Sequence, residues 1–308
     1  MADSPRDRRL TRALLALEGL SVGDAFGERF FGPPEVVEGL IASRTVPPAP
    51  WTWTDDTAMA LSVVEVLEEH AGIDPHALAT LFARRYAAEP RRGYGGTAHE
   101  ILQAIGMGVP WQLAAGRVFD GGGSMGNGAA MRVAPVGAWF AGDLDAVAEH
   151  AARSAAPTHA HPDGKAGAIA VAIGAALAAE PREGGTLATS SFDPTTYLRA
   201  VHARTPNGAT RDGIARAIDL PASCDVRGAV SALGNGFQVI SFDTVPLALW
   251  CAARHMDDYE EALWTTVSAL GDRDTTCAIV GGIVALAVGH VPEAWRLARE
   301  ALPTRSGE

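Results

Sequence analysis

Apolar residues recur along most of this chain at the three- and four-residue spacing of one α-helix face. In 57–69, Met59, Val63, Val66 and Leu67 share a face, which predicts a helix. The Asp74-Pro75 pair supplies an N-cap and a first-turn proline for another. The same reasoning predicts further helices at 10–23, 74–88, 94–106, 144–156, 164–179, 194–204, 211–218, 245–254, 258–269 and 275–288. Because convincing strand alternation is absent, we expect an all-α fold.

Composition and organisation support one globular unit. The 308 residues are 47% hydrophobic and 20% charged, which is typical of a globular protein. No break in composition marks a linker, and no repeat of solenoid period is visible. We therefore expect a single domain over residues 1–308, with an ordered core from about residue 8 to 300 and a variable surface loop at 184–196.

Net charge and cysteine usage exclude several classes of protein. A net charge of -11 argues against an extensive nucleic-acid interface. The three cysteines form no CxxC pair, so neither a disulfide framework nor a zinc ribbon is indicated, and a cytoplasmic location is expected. The most apolar runs, 166–179 and 277–288, are shorter than the roughly 18 residues that suggest a membrane span. No membrane partner is expected.

Two acidic clusters stand directly ahead of apolar helices. Trp51-Thr-Trp-Thr-Asp-Asp-Thr57 precedes one, and Gly271-Asp-Arg-Asp-Thr275 precedes the other. Either alone is explained by helix capping, which favours Asp and Thr. Four carboxylates at two buried helix starts, however, would repel one another unless cations neutralise them. Oxygen ligands of this kind suit Mg²⁺, Mn²⁺ or Ca²⁺, and a pair of such ions is a hydrolytic arrangement.

A glycine-rich segment lies between these clusters. Gly121-Gly-Gly-Ser-Met-Gly-Asn-Gly128 allows close approach of the backbone to a ligand and can present N–H groups to an anion. It matches neither standard nucleotide-binding glycine motif, and a plain flexible loop is the alternative. Further on, Thr158-His-Ala-His-Pro-Asp163 lacks a third ligand at zinc spacing. There we expect one histidine to hydrogen-bond a ligand hydroxyl or to cap the next helix.

Six segments, taken in order, resemble the ADP-ribosylglycohydrolase family. They are Gly19-Leu-Ser-Val-Gly-Asp-Ala-Phe-Gly27, Trp53-Thr-Asp-Asp-Thr57, Arg92-Gly-Tyr-Gly95, Ser124-Met-Gly-Asn-Gly-Ala-Ala-Met-Arg132, Thr158-His159 and Gly271-Asp-Arg-Asp-Thr275. Each is weak alone, but the ordered set spans nearly the whole chain and is specific. The resemblance implies an orthogonal multi-helix bundle with a binuclear Mg²⁺ or Mn²⁺ centre.

The resemblance also implies roles for individual residues. The metal ligands would be Thr54, Asp55, Asp56, Asp272, Asp274 and Thr275, with Asp55 and Asp56 also taking part in catalysis. The diphosphate of ADP-ribose would lie against Ser124, Met125, Gly126, Asn127 and Gly128. Tyr94 and Gly95 would border the ribose, and His159 would lie along the ligand. The implied reaction hydrolyses the C1″ bond of an ADP-ribosylated substrate.

One position departs from the family pattern. Many members carry a glutamate a few residues beyond the Gly-Asp-Ala-x-Gly turn, where this chain has Phe30-Phe31. Glu28 directly follows the turn and is our choice for the catalytic carboxylate; Glu35 comes later. The alternative for Glu28 is a solvated loop side chain.

The acceptor of the ADP-ribose is left open by the sequence, as are two other functions. The acceptor could be a protein side chain such as arginine or serine, or a nucleobase. A two-metal phosphoesterase or nucleotide hydrolase would suit the same centre. A non-catalytic relative that only binds ADP-ribose is the third hypothesis, although retained buried carboxylates argue against it.

Overall fold

The computed structural model describes residues 4–180 and 192–303. These residues form sixteen helices and no strand, which confirms the all-α prediction. The helices are α1 (Pro5–Glu28), α2 (Pro34–Ser43), α3 (Asp55–His70), α4 (Pro75–Ala88), α5 (Gly96–Gly106), α6 (Trp111–Gly116), α7 (Ala134–Trp139), α8 (Leu144–Ala155), α9 (Pro162–Ala178), α10 (Pro194–Arg204), α11 (Ala209–Asp219), α12 (Val226–Leu233), α13 (Ser241–Arg254), α14 (Tyr259–Val267), α15 (Arg273–Val288) and α16 (Glu293–Ala298).

The pairing of α1 with α15 lies at the centre of the molecule. Gly19, Gly23 and Gly27 follow one another at four-residue spacing along α1, so they share one face. A Cβ atom added at Gly23 would lie 2.1 Å from the carbonyl oxygen of Cys277 on α15. Glycine therefore allows the two backbones to touch. This close packing brings the C-terminal end of α1 against the beginning of α15, where the second acidic cluster stands.

Most predicted helices are present, with shifted ends. The first is longer than the predicted 10–23, because Ser4 and Asp7 form a capping box around Pro5 and the helix continues to Glu28. The surface loop predicted at 184–196 lies largely outside the described residues, and its last residues, 194–196, belong to α10. Five short helices were not predicted, namely α2, α6, α7, α12 and α16. All are ten residues or fewer, too short for a helical period to stand out.

No disulfide bond forms among the described residues. Cys224, Cys251 and Cys277 are all free, and the last two are buried. In the described part of the chain, none of the helices combines the length and the apolar character that crossing a bilayer requires.

Candidate metal centre and ligand cavity

The first acidic cluster, residues 54–57, is held in place by a carboxylate from another helix. Thr54 is the N-cap of α3. Asp24, fully buried on α1, accepts hydrogen bonds from the backbone N–H groups of Thr54 (2.9 Å) and Thr57 (3.1 Å). It also accepts hydrogen bonds from the hydroxyl of Thr54, at 2.8 Å, and from the hydroxyl of Thr57. The position of this helix start is therefore fixed by the core.

Asp55 and Asp56 form the first turn of α3 and are buried. Burial raises the pKa of both carboxyls well above the usual value, and the neighbouring carboxylates Asp24 and Asp274 raise it further. Burial likewise raises the pKa of Asp24 to about 7. Oδ1 of Asp56 is buried and has no hydrogen-bond partner among the described residues. The cluster carries more acceptor capacity than the helix start uses.

The second acidic cluster, residues 272–275, is held by loops. Asp272 is the N-cap of α15 but makes no side-chain cap bond. Its Oδ2 instead accepts a 2.6 Å hydrogen bond from Nδ2 of Asn127, and its backbone N–H donates to the carbonyl of Asn235. Burial raises the pKa of Asp272 to about 8, with a further contribution from Asp274. Oδ1 of Asp274 is buried without a partner among the described residues.

The donor set fits hard divalent cations. Four carboxylates and the hydroxyls of Thr54 and Thr275 offer only oxygen, the ligand that Mg²⁺ and Mn²⁺ prefer. The unpartnered oxygens of Asp56 and Asp274 provide buried acceptors that a cation would satisfy. Within residues 4–180 and 192–303, no group of three or more His, Cys, Asp or Glu side chains is arranged to hold one ion by itself. Each ion would therefore draw also on hydroxyl or ligand oxygens.

A cavity of about 700 Å³ opens between the two clusters. The predicted site residues that line it are Asp55, Asp56, Gly95, Ser124, Met125, Gly126, Asn127, Gly128, His159, Asp272, Asp274 and Thr275. The predicted residues Glu28, Thr54 and Tyr94 do not line it. The fold thus brings residues from distant parts of the chain around one space.

Residues 124–128 form one wall of this cavity and pair with a second loop. An isolated antiparallel bridge joins Gly126 to Ile240, and Asn127 N–H donates to the carbonyl of Val239 at 3.2 Å. The amide groups of Met125 and Gly128 donate to none of the described residues. A ligand acceptor such as a phosphate oxygen could take these free donors.

One rim of the cavity is apolar and was missed by the sequence reasoning. Phe119 and Val239 line it, and their exposed fractions are 62% and 55%. Both adopt positive φ (53° and 57°), which is a strained conformation, above all for the β-branched Val239. Only the strain and exposure revealed by the structure mark them as candidate ligand contacts.

His159 lies in the cavity wall beside the glycine-rich loop. Burial, reinforced by the charge of Arg132, lowers its pKa to about 3, so the ring is neutral at physiological pH. His161 instead caps α9 by accepting a hydrogen bond from the Asp163 N–H, which is the second of the two roles expected for one of these histidines.

Glu28 faces a different space. It is the last residue of α1 and lines a second cavity of about 450 Å³ together with Thr54, Arg91, Arg92 and Gly93. Gly93 also lines the larger cavity, so the two spaces adjoin there. Burial raises the pKa of Glu28 to about 7, and the nearby Asp274 adds to the rise.

The other predicted residues outside the large cavity have clear positions. Tyr94 is buried and packs edge-on against Tyr86, with ring centroids 5.1 Å apart. Its neighbour Gly95 reaches the cavity instead. Glu35 is exposed in the first turn of α2.

The chain that carries these two acidic clusters and the glycine-rich wall matches a known family over nearly its whole length. The model of the ADP-ribosylglycohydrolase family matches residues 5–305, and the chain belongs to that family of hydrolases. Human ADP-ribosylhydrolase ARH3 is 30% identical over 94% of this chain and 89% of its own length. An uncharacterised protein of Archaeoglobus fulgidus is 32% identical over 90% of this chain and 88% of its own.

The fold is shared with a solved structure. A chain of an ADP-ribosylglycohydrolase-related protein complex superposes with a TM-score of 0.66 at 23% identity, covering 96% of this chain and 94% of that one. At this identity, the likeness establishes the fold alone.

Proposed function

We propose that this protein is a metal-dependent ADP-ribosyl-acceptor hydrolase that cleaves the C1″ linkage and releases ADP-ribose. One observation carries the proposal: a single cavity is lined by four carboxylates (Asp55, Asp56, Asp272, Asp274), by loop amides that donate to no described residue, and by an apolar rim. ADP-ribose combines the matching groups, namely ribose hydroxyls, a diphosphate and a planar base.

The residues take roles that follow from this match of chemical groups. Thr54, Asp55, Asp56, Asp272, Asp274 and Thr275 would hold two Mg²⁺ or Mn²⁺ ions. When bound, such ions stabilise developing negative charge and activate water. The amides of residues 124–128 would bind the diphosphate, Gly95 would border the ribose, and the rim at Phe119 and Val239 would cover the base.

The second cavity is the proposed place of the acceptor. It adjoins the carboxylate end at Gly93 and carries Glu28. With a pKa near 7, the Glu28 carboxyl can hold a proton on its oxygen and deliver it to the departing acceptor atom, or take one from water. Glu28 would therefore act on the acceptor side, away from the ADP-ribose cavity.

The test is a panel of ADP-ribosylated arginine, serine and nucleobase substrates, incubated with Mg²⁺ or Mn²⁺ and scored for free ADP-ribose. Asp55→Ala and Asp274→Ala should each abolish release, because each removes a carboxylate from one acidic cluster. Glu35→Gln is the matched control, since this exposed glutamate lies on α2 outside both cavities. Unchanged turnover in both aspartate variants would refute the proposal.

Product analysis and calorimetry test the two alternative functions, a phosphoesterase and a non-catalytic binding protein. Release of AMP or inorganic phosphate would indicate a two-metal phosphoesterase. Calorimetric binding of ADP-ribose without cleavage of any linkage would indicate a non-catalytic binding protein.

A further inference from the structure

Three buried side chains form a hydrogen-bonded line that ends at the cavity. Arg132, only 1% exposed, donates from Nη2 to the hydroxyl of Thr158 at 2.8 Å. The Thr158 hydroxyl lies 2.7 Å from Nδ1 of His159. Arg132 is itself fixed, because it also donates to the carbonyls of Gly128 (2.8 Å) and Ser154 (3.1 Å).

The direction of these bonds follows from what each group can donate. A guanidinium only donates, so the Thr158 oxygen must accept from Arg132. The single hydroxyl proton of Thr158 then has two acceptors, Nδ1 of His159 at 2.7 Å and the carbonyl of Ala155 at 3.5 Å. The shorter contact has normal hydrogen-bond length and the longer one does not. Thr158 therefore donates to Nδ1.

The opposite tautomer has two costs. A hydrogen on Nδ1 would leave the Thr158 proton with only the 3.5 Å contact to Ala155. It would also direct an N–H dipole towards the hydroxyl that the Arg132 charge already polarises. Both effects favour a bare Nδ1 and, in the neutral ring, a hydrogen on Nε2.

Nε2 is the ring nitrogen that remains available to a ligand. It makes no hydrogen bond to any described residue, and the ring lines the large cavity. A Cβ atom added at Gly126 would lie 3.2 Å from Nε2, and one at Gly128 would lie 3.6 Å from it. The ring nitrogen thus borders the loop that carries the free amides of Met125 and Gly128, and a side chain at Gly126 or Gly128 would crowd the ring.

We infer that Arg132 and Thr158 are positioning residues that lock His159 in the Nε2–H tautomer, so that it is a fixed neutral donor to a ligand oxygen beside residues 126–128. The lock itself is a property of the free protein. The identity of that oxygen, on the diphosphate of ADP-ribose, rests on the proposed function.

The lock is tested by ¹⁵N NMR of the histidine rings in the free protein at pH 7. The His159 signals are assigned by their loss in His159→Gln. We expect a protonated Nε2 and an unprotonated Nδ1 in the wild type and in Thr158→Ser, which keeps the hydroxyl. Thr158→Val keeps the shape but removes the hydroxyl, and should yield a mixture or the other tautomer. A wild-type hydrogen on Nδ1, or a Thr158→Val ring indistinguishable from wild type, would overturn the inference.

Binding is tested by calorimetry with ADP-ribose. Thr158→Val should weaken binding about ten- to a hundredfold, the scale of one hydrogen bond to a charged group, and Thr158→Ser should restore it. Thr266→Val is the matched control, because this buried threonine bonds Ala262 outside the cavity and should change neither readout. Equal affinity of wild type and Thr158→Val would contradict the donor role. The expected tautomer together with no ADP-ribose binding by the wild type would support the lock and contradict the proposed function.

Discussion

The two acidic clusters have similar sequences but are held in place by different means. Residues 54–57 are held by Asp24, which lies on the central helix α1 and accepts bonds from both threonines. Residues 272–275 are held by Asn127 and Asn235, which belong to loops. One half of the candidate centre is thus part of the core, whereas the other depends on the loops that also line the ligand cavity. Changes on the core side should cost stability, and changes on the loop side should cost ligand or metal binding.

The largest effect is expected from Asp24→Ala. The change leaves two buried N–H groups and the Thr57 hydroxyl without their acceptor, and should lower the free energy of unfolding by about 3–5 kcal/mol. Denaturant unfolding at pH 6 measures it, below the raised pKa of about 7 for Asp24, so that relief of charge repulsion does not mask the loss.

Asp143→Ala is the control for this loss. Asp143 caps α8 through a single bond to Ala146 N–H, and its removal should cost about 1 kcal/mol. Equal losses in the two variants would show that residues 54–57 do not depend on Asp24.

On the loop side, Asn127→Ala should act on metal binding more than on stability. Its amide orients Asp272 with a 2.6 Å bond, and loss of such an orienting partner typically weakens metal affinity about 10–100-fold. Titration calorimetry with Mn²⁺ measures this. Asn207→Ala, in the loop before α11, is the control. A large loss of stability with unchanged affinity would reverse the proposed contrast between the two clusters.

Both clusters share one expected response to pH. Burial raises the pKa of Asp24 to about 7 and of Asp272 to about 8, against about 4 in an unfolded chain. The folded state then binds more protons than the unfolded state, so the stability of the metal-free protein falls as pH rises from about 4 to about 8. Each 1 kcal/mol lost should lower Tm by about 2 °C.

Melting curves from pH 5 to 8 with EDTA measure this slope. Mg²⁺ or Mn²⁺ should raise Tm most at the high end, because bound cations neutralise the ionised carboxylates. A Tm in EDTA that rises over this range, or a Tm that neither cation raises, would contradict the assignment of the centre.

The sequence predicts the two acidic clusters better than the contacts that hold them in place. Both acidic clusters were found because Asp and Thr ahead of an apolar helix form a local pattern. Helix α10 was also predicted with its observed ends, and its N-cap Asp193 accepts hydrogen bonds from the N–H groups of Thr195 and Thr196. Asp24 was overlooked as an anchor, although an aspartate inside an otherwise apolar helix was the available signal. The contribution of residues 238–240 follows from the bridge between Gly126 and Ile240, a tertiary contact that no local pattern encodes.

The smallest effect is expected at the strained rim. Val239 has a φ of 57° and an exposed fraction of 55%, so glycine should relieve strain while losing little packing. Val239→Gly should therefore raise the free energy of unfolding by about 0.5–1 kcal/mol, yet weaken ADP-ribose binding, because the rim loses its apolar cover. Thermal melting and calorimetry on the same samples measure the two changes. Val46→Gly is the control, an exposed valine in a non-helical segment without positive φ, where glycine should lower stability. Loss of stability at Val239 equal to that at Val46 would mean that the rim stores no strain, and the loop side of the site would then be as relaxed as the core side.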